Sequence, residues 1–418
     1  MGKRIIAVIL ACALFLCGCS AESAEPIFND EVSIIIATDI HYLSPRLVEN
    51  RQYLMDSVSR GDGKVVHYID EITDAFFEEV LQKKPDYLIL SGDLTFNGAE
   101  KSHVDLTNKL RNLQENGIKV LALPGNHDVD SENAVGFGDN VPVAAKALSS
   151  DEFVEMYSEF GLDHAISREG ATFSYTVQAS DELRIILIDT NCYGVGYIKE
   201  RTYWWLEEEL KKAREAGDKV ITVTHQNLYA HNEKLSLGYQ MYNAEELTPL
   251  LEEYDVLCNF SGHIHTQSIV RGKLPEVATS SLAMSPLQYG ELSFAGNSMD
   301  YRLAQTNVDL WAQNNGITDE NLLDFTQYAK DYFYDNCYRQ TFSKYANSGL
   351  SEEEKLLMAE TFAELNYDYF SGKLPDKQGL KEGIKLWKKQ DKSFSQSYLK
   401  TILKVKEDSQ SLNIKVEQ

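Results

Sequence analysis

The sequence predicts an α/β domain built on a parallel sheet, followed by an all-α C-terminal domain. Up to residue 260, short apolar runs rich in β-branched residues alternate with stretches of helical spacing, which favours a parallel sheet covered by helices. The pattern changes near residue 305, beyond which glycines are few and apolar residues recur only at helical spacing. A chain of 418 residues, 43% of them hydrophobic, has room for two or three units with a large core.

The predicted strands and helices of the first domain alternate along the chain. Strands are expected at residues 32–38, 87–90, 118–123, 183–189, 220–224 and 256–260, and helices at 66–81, 99–116, 203–216 and 244–254. The strand at 183–189 is also suited to form a hairpin with residues 173–177. Beyond residue 305, Ser351–Glu354 form a capping box ahead of an apolar helix face. We therefore place the two domains at 31–305 and 306–418.

The first 30 residues are interpreted as a targeting segment and a tether. Lys3 and Arg4 precede an apolar stretch that is shorter than the roughly 20 residues needed to span a bilayer, which is typical of an export signal. The stretch ends Leu-Cys-Gly-Cys-Ser at residues 16–20, which resembles the lipobox of bacterial lipoproteins. The prediction is a signal peptide at 1–19, a lipid on Cys19 and a tether at 20–30, on the outer face of the bacterial cytoplasmic membrane. The alternative is an ordinary cleaved signal.

The charge balance restricts the partners of the chain. The formal net charge is −24 at pH 7, with a sequence pI near 4.8. Binding to a long nucleic acid depends on Lys and Arg that displace counterions from phosphates, so the sequence argues against such a partner. A small phosphoester substrate is still compatible, because metal ions can neutralise its charge.

Polar motifs follow five of the predicted strands. They are Asp39-Ile40-His41, Gly92-Asp93, Gly125-Asn126-His127-Asp128, His225 and Gly262-His263-Ile264-His265. In open α/β sheets, ligands bind in the crevice beyond the carboxyl ends of the strands, so these segments are expected to converge. Each motif alone has a plainer interpretation, such as a capped loop, a turn or a buried strand-end histidine. Together, and in this order, they predict a metal site.

This series of motifs resembles the calcineurin-like metallophosphoesterase family. The resemblance covers residues 39 to 265 and implies a β-sandwich of two sheets flanked by helices, in place of the single sheet expected from the pattern. It also implies two metal ions, one held by Asp39, His41 and His265. Asn126, His225 and His263 would hold the other ion, and Asp93 would bridge both.

The resemblance also implies catalytic roles for two residues and points to one subgroup of the family. It places His127 over the leaving oxygen, as a general acid or a phosphate clamp, and Asp128 is expected to orient it. Purple acid phosphatases use a tyrosine three residues after the Gly-Asp aspartate, where this chain has Phe96, which argues against a tyrosine-ligated ferric site. Closest in pattern are bacterial class III cyclic-nucleotide phosphodiesterases with a helical C-terminal domain.

The ligand types and their number predict the chemistry. Carboxylate and imidazole groups suit Mn, Fe or Zn, and two such divalent or trivalent ions would supply a bridging hydroxide that attacks phosphorus. The predicted function is hydrolysis of phosphodiesters, with cyclic nucleotides as the narrower candidate. The alternatives are a phosphomonoesterase, a hydrolase of envelope phosphodiesters, and a lipoprotein binding module without turnover.

Four further histidines lie outside these motifs. His231 follows a motif histidine by six residues, so it is a candidate for contact with substrate, although packing of its loop is an equal explanation. His67, His103 and His164 have no partner motif and are expected to be structural or exposed.

Overall fold

Two mixed β-sheets and their flanking helices enclose the central apolar core of the computed structural model, which describes residues 27–59, 61–191, 196–390 and 393–417. The strands are β1 Phe28–Ala37, β2 Tyr87–Leu90, β3 Lys119–Ala122, β4 Val135–Phe137, β5 Pro142–Ala144, β6 Ser167–Arg168, β7 Tyr175–Ser180, β8 Leu183–Leu187, β9 Lys219–Val223, β10 Cys258–Ser261, β11 Ser268–Val270, β12 Glu276–Ala278, β13 Gln288–Gly296, β14 Ser298–Gln305 and β15 Ser411–Lys415. The helices are α1 Arg51–Val58, α2 Ile69–Lys83, α3 Glu100–Glu115, α4 Ser150–Tyr157, α5 Glu200–Ala216, α6 Ala244–Glu253, α7 Val308–Asn314, α8 Glu320–Leu323, α9 Phe325–Tyr345, α10 Glu352–Phe370, α11 Lys381–Lys389 and α12 Phe394–Ile402.

The arrangement confirms the predicted fold class. One sheet has the order β15-β14-β13-β1-β2-β3 and the other β11-β12-β10-β9-β8-β7-β6, so the sandwich implied by the family resemblance is present. The predicted hairpin is also present, since β7 and β8 pair antiparallel. The long hairpin of β13 and β14, which extends the first sheet beyond β1, was not predicted from the sequence.

Parallel strands at the centre of each sheet bring the polar motifs together. In the first sheet, Ile36 of β1 lies beside Ile89 of β2, which in turn lies beside Leu121 of β3. In the second sheet, Val223 of β9 lies beside Phe260 of β10. These strands are buried almost throughout, which explains their continuous apolar runs. The motifs therefore leave the sheets together, at the carboxyl ends of neighbouring strands.

The predicted tether is wrong for its last three residues. Strand β1 already begins at Phe28, which is 2% exposed and pairs with Gly296 of β13. Its ring lies edge-on to Phe294, with the ring centroids 5.6 Å apart. The three residues between Phe28 and Val32 are all polar and break the apolar pattern of the strand, which is why the sequence did not indicate this extension. The predicted signal peptide and Cys19 lie outside the described residues.

The C-terminal region is helical from α7 to α12 and has an apolar core of its own. Phe333, Phe362, Trp387 and Tyr398 are among the buried members of this core. Met284, from the segment before β13, also belongs to it, so the helical region packs against the sandwich. None of the described helices combines the length and the apolar character needed to cross a membrane.

The boundary at 306–418 needs one correction, because the chain returns to the first sheet after α12. Strand β15 pairs antiparallel with β14, and Leu412 lies opposite Tyr301. Its side chains are exposed or half-buried, so the segment carries no apolar run that would predict a strand. The backbone pairing alone identifies β15, and it ties the end of the helical region to the sandwich.

Deleting residues 411–418 is expected to lower the midpoint of thermal unfolding by about 3–10 °C. The first sheet would lose its edge strand, and Val416, which is 5% exposed, would lose a burial worth about 1.5–3 kcal/mol. Lys415→Ala is the matched control, since it removes an exposed side chain of β15 and keeps the backbone pairing. Calorimetry measures both variants, and an unchanged midpoint in the deletion variant would show that β15 contributes no stability.

Candidate metal centre

The motif loops hold an unusual backbone conformation. Asp39, His41, Asp93, His263 and His265 have φ angles of 51°, 49°, 48°, 65° and 57°. This left-handed region is uncommon for residues with a side chain, and such positions cost roughly 1–3 kcal/mol each unless the surrounding structure enforces them. Five strained residues in three separate motifs therefore mark a site at which side-chain direction is maintained at the expense of backbone stability.

Two motif glycines allow the loops to approach each other closely. A Cβ atom on Gly92, whose φ is 105°, would overlap the imidazole of His225. A Cβ atom on Gly262 would overlap the Thr38 hydroxyl and lie 2.6 Å from Asp39 Oδ2. The Gly-Asp and Gly-His-x-His motifs thus need glycine because another motif occupies the space of a side chain.

Four side chains form the first donor cluster. Asp39, His41, Asp93 and His265 each offer a ligand atom, and these atoms lie within 4.8 Å of one another. His265 Nε2 is 3.2 Å from Asp39 Oδ1 and 3.1 Å from His41 Nε2. Two imidazole nitrogens and a carboxylate oxygen thus point at one small volume, which fits a transition-metal ion.

The second donor cluster shares Asp93 with the first. Asp93, His225 and His263 offer ligand atoms within 4.8 Å of one another. His225 Nε2 lies 3.3 Å from Asp93 Oδ1 and 3.2 Å from Asn126 Oδ1, so the amide of Asn126 adds an oxygen donor. The seven residues predicted as ligands therefore come together in two groups, and Asp93 belongs to both.

Hydrogen bonds to backbone carbonyls fix which histidine nitrogens are free. His225 Nδ1 lies 2.9 Å from the carbonyl oxygen of Ser91, and His263 Nε2 lies 2.8 Å from that of Gly238. A carbonyl only accepts, so each of these nitrogens carries the proton of the neutral ring. The lone pair is then on Nε2 of His225 and on Nδ1 of His263, as metal ligation requires.

Asp39 provides a direct test of whether this donor set fits a cation. Its Oδ2 accepts hydrogen bonds from the Thr38 hydroxyl at 2.8 Å and from the backbone N–H of His263 at 2.9 Å. Its buried Oδ1 has no hydrogen bond of acceptable geometry from the described residues, and the nearby nitrogen, His265 Nε2 at 3.2 Å, is itself a candidate ligand. Buried carboxylate oxygens are rarely left unsatisfied, and a cation among Asp39, His41 and His265 would satisfy this one. The residues therefore fit the metal pair that the motifs predict.

The buried charges of the site are strongly coupled. Burial by itself would lower the pKa of His225, but Asp93 reverses the effect and raises it to about 9. Asp39 likewise overcomes burial and raises the pKa of His265 to about 9. Burial would raise the pKa of Asp93, yet the neighbouring histidines hold it well below its usual value. Because ligation needs neutral imidazole, cation binding is expected to release protons at neutral pH.

His127 lies at the open side of the clusters. Its side chain is 36% exposed, and Nε2 is 3.9 Å from Asp93 Oδ2. Its Nδ1 donates to the carbonyl oxygen of Phe96 at 2.8 Å, which fixes the ring with Nε2 on the side of Asp93. A half-exposed imidazole beside the bridging carboxylate can reach a substrate held at this centre.

The predicted role of Asp128 is wrong, because its carboxylate does not contact His127. Asp128 accepts hydrogen bonds from the backbone N–H of Thr95 at 2.8 Å and of Gly125 at 2.7 Å. The buried His103 lies 2.9 Å from the backbone carbonyl of Asp128 and is structural, one of the two roles expected for it. Asp128 therefore joins the Gly-Asp and Gly-Asn-His-Asp loops, and the Phe96 carbonyl orients His127 instead.

The predicted substrate contact of His231 is not supported either. Its side chain is fully buried, and Nε2 lies 3.1 Å from Glu276 Oε2. The same carboxylate accepts from the backbone N–H groups of Leu228 and Tyr229. His231 thus packs its own loop against β12, the alternative that the sequence left open.

Sequence reasoning missed Asp62 and Lys64, which lie behind His265. Asp62 Oδ2 is 3.5 Å from His265 Nδ1, and Lys64 Nζ is 2.6 Å from the same oxygen. Burial lowers the pKa of His41 well below its usual value, and the charge of Lys64 lowers it further. The only signal in the sequence is the turn Gly61-Asp62-Gly63, which follows no predicted strand and so lacks the feature that the motifs share.

Two families of known proteins match the chain in consecutive parts. Residues 32–267 match the calcineurin-like phosphoesterase family. Residues 307–409 match the C-terminal domain of cyclic nucleotide phosphodiesterases and end just before β15. The first match covers more than half of the 418 residues and includes every motif of the site.

Several relatives are phosphodiesterases by name. The chain is 26% identical over 281 residues to GpdQ of Arcobacter nitrofigilis, a probable glycerophosphodiester phosphodiesterase, across 63% of this chain and 89% of that protein. It is 23% identical over 197 residues to a probable cyclic nucleotide phosphodiesterase of Moraxella catarrhalis, across 46% of this chain and 62% of that one. It is 26% identical over 178 residues to the cyclic GMP-AMP phosphodiesterase SMPDL3A of Homo sapiens, across 40% and 38% respectively.

A solved dimetal phosphatase from Danio rerio aligns with 68% of this chain and 97% of its own, at 13% identity and a TM-score of 0.45. The family match rests instead on the sequence and agrees with the two donor clusters that share Asp93. The chain belongs to the calcineurin-like phosphoesterase family and is a metal-dependent hydrolase of phosphoric esters.

Proposed function

We propose that this enzyme hydrolyses phosphodiesters at a pair of transition-metal ions, Mn, Fe or Zn, and that cyclic nucleotides are the narrower candidate substrates. The observation that carries the proposal is the sharing of Asp93 between two buried donor clusters. The names of several relatives and the match of residues 307–409 support a diester as the substrate.

Each cluster would hold one ion. Asp39, His41 and His265 are assigned to one, Asn126, His225 and His263 to the other, and Asp93, which belongs to both clusters, would bridge them. When bound, the two ions would supply an activated water and stabilise the charge that develops on the phosphoryl oxygens. The protein's own contribution is to fix the ligand directions through the carbonyls of Ser91 and Gly238 and through the left-handed loops.

His127 is assigned as the proton donor to the leaving oxygen. Its Nδ1 proton is committed to the Phe96 carbonyl, so a second proton would be carried on Nε2, on the side of Asp93. Transfer of that proton to the leaving alkoxide would give an alcohol and leave His127 as the neutral tautomer protonated on Nδ1. No large movement of the ring is needed for this step.

Turnover is expected to need metal and Asp93. The chain starting at Ser20 should hydrolyse bis-p-nitrophenyl phosphate and 2′,3′- or 3′,5′-cyclic AMP with Mn added, and chelator should reduce the rate to background. Asp93→Asn should do the same, because the amide removes the bridging charge from both clusters. Asp181→Asn, an exposed change in the β7–β8 turn, is the matched control.

Substrate preference in that assay decides among the related functions. A preference for p-nitrophenyl phosphate over the diesters would indicate a phosphomonoesterase. Cleavage of bis-p-nitrophenyl phosphate without the cyclic nucleotides would indicate another diester, such as a component of the cell envelope. Retained turnover in Asp93→Asn would contradict the proposed metal site itself.

His127→Ala should lower kcat in a way that depends on the leaving group. The loss should be about 10²–10⁴-fold for a cyclic nucleotide, whose alkoxide needs a proton, and much smaller for p-nitrophenolate. Metal content should stay unchanged, because His127 does not belong to either donor cluster. An equal loss with both leaving groups would instead identify His127 as a clamp on the phosphoryl group.

We also propose that the enzyme is exported and lipid-anchored through Cys19. The support is the basic start, the short apolar stretch and the Leu-Cys-Gly-Cys-Ser sequence at residues 16–20. Expressed with its signal in a bacterium, the protein should incorporate labelled palmitate and partition into Triton X-114. Cys19→Ser should lose both properties, while Cys17→Ser should keep them. Labelling that survives in Cys19→Ser would refute the anchor.

A further inference from the structure

The two histidines of the Gly-His-x-His motif have partners behind them on two different loops. His265 Nδ1 faces Asp62 Oδ2 at 3.5 Å, and His263 Nε2 donates to the Gly238 carbonyl at 2.8 Å. The two histidines belong to different donor clusters. Contacts that hold these two loops in place therefore also hold one ligand of each proposed metal position.

Helix α9 of the C-terminal region holds the loop that carries Asp62. The side-chain amide of Asn336 donates to the Gly61 carbonyl at 2.7 Å, and Arg339 donates to the Ser59 carbonyl at 2.9 Å. Gly63 lies against the same helix, since a Cβ atom there would be 3.7 Å from the ring of Phe333. Asp62 is thus held from both sides by groups of α9, and Lys64 neutralises part of its charge.

Helices α10 and α12 hold the loop that carries Gly238. Thr401 Oγ1 of α12 lies 3.0 Å from Asn232 Oδ1 and 2.6 Å from the Tyr398 carbonyl, so its one proton is shared between these two acceptors. Tyr369 of α10 donates to the His231 carbonyl at 3.2 Å. Asn232 also donates to the Tyr369 hydroxyl at 3.3 Å. Leu235, three residues further on, packs against the apolar core of the helical region.

A short turn connects this anchored part of the loop to His263. Asn232 Oδ1 accepts the backbone N–H of Lys234, and the Ser236 carbonyl accepts those of Tyr239 at 3.2 Å and Gln240 at 2.9 Å. The turn presents the Gly238 carbonyl to His263, and the Tyr239 ring lies 5.4 Å from the imidazole. The contacts therefore run without a break from α12 to a proposed metal ligand.

We propose that the C-terminal helical region positions the metal ligands: α9 sets His265 through Asp62, and α10 and α12 set His263 through the Gly238 carbonyl. The inference rests on the proposed metal-dependent phosphodiesterase and assigns its C-terminal region a task. Groups that bond the outer nitrogen of a ligating histidine fix its tautomer and ring direction, and their loss typically costs about 10–100-fold in metal affinity or activity. Asp62, Asn232, Asn336 and Thr401 are accordingly positioning residues.

The α9 contact is tested with the full-length soluble chain and Mn²⁺ alone as the probe. Mn²⁺ titrations are followed by calorimetry and electron paramagnetic resonance. The variants His265→Ala and His263→Ala first show how these titrations change when each metal position loses one ligand. Asp62→Ala and the double variant Asn336→Ala/Arg339→Ala should then weaken the His265 position about 10–100-fold and leave the other unchanged. Asp62→Asn keeps an acceptor oxygen for His265 and should restore most of the affinity.

Tyr328→Phe is the control for that contact. Tyr328 also lies on α9 and bonds to the catalytic part of the chain, but its hydroxyl meets His67 Nε2 at 2.7 Å rather than the Asp62 loop. It should therefore leave both Mn²⁺ affinities unchanged, even if the midpoint of thermal unfolding falls. A loss of affinity equal to that of the double variant would mean that general packing, not the Asp62 loop, is responsible.

The second contact is tested by a pair of substitutions at one residue. Thr401→Val removes the hydroxyl that contacts both Asn232 and the Tyr398 carbonyl, whereas Thr401→Ser keeps it. Thr401→Val should weaken the His263 position and lower kcat for bis-p-nitrophenyl phosphate by at least about threefold, while Thr401→Ser should match the wild type. Wild-type Mn²⁺ affinities and kcat in Thr401→Val, Asp62→Ala and the double variant would overturn the inference and leave the proposed function intact. A wild type without Mn²⁺-dependent turnover would overturn both.

Discussion

The rest of the structure depends on the burial of one carboxylate, Asp93, between two groups of imidazoles. An ionised carboxylate is costly to bury unless opposite charge and hydrogen bonds surround it. Asp93 Oδ1 accepts the backbone N–H of His127 at 2.9 Å and lies 3.3 Å from His225, while Oδ2 lies 3.8 Å from His41. Every motif loop approaches the Asp93 carboxylate. Such a close approach requires the glycines and the left-handed backbone conformations that these loops contain.

The sandwich provides the rigidity that this arrangement needs. Strands β1, β2 and β3 are parallel and buried, so their carboxyl ends keep Asp39, Asp93 and Asn126 in fixed relation. The second sheet does the same for His225 and His263 through β9 and β10. The helical region then adds contacts behind the Gly-His-x-His motif, where the loops have no strand beside them. Support from both sheets and from the helical region can thus fix the side chains of the site more tightly than a single loop could.

Residue type alone did not separate ligands from supporting groups. Asp128 and His231 have the same chemistry as the residues of the clusters, yet one joins two loops through backbone N–H groups and the other pairs with Glu276 in the interior. The direction of a side chain depends on the backbone dihedral angles and on neighbours far along the chain. Outside the positions that its spacing constrains, a motif determines neither the backbone dihedral angles of a residue nor its distant neighbours.

The sequence by itself determined the α/β class, the helical C-terminal region and the seven clustered donors, because hydrophobic periodicity and motif order are local properties of the chain. Only the tertiary structure decided that β15 returns to β14, that Phe96 rather than Asp128 orients His127, and that Asp62 stands behind His265. These contacts join residues from 31 to more than 200 positions apart, and they depend on backbone pairing or on a single polar side chain. Backbone pairing and single polar side chains leave no periodic pattern in the sequence, so these contacts can be identified only in the folded chain.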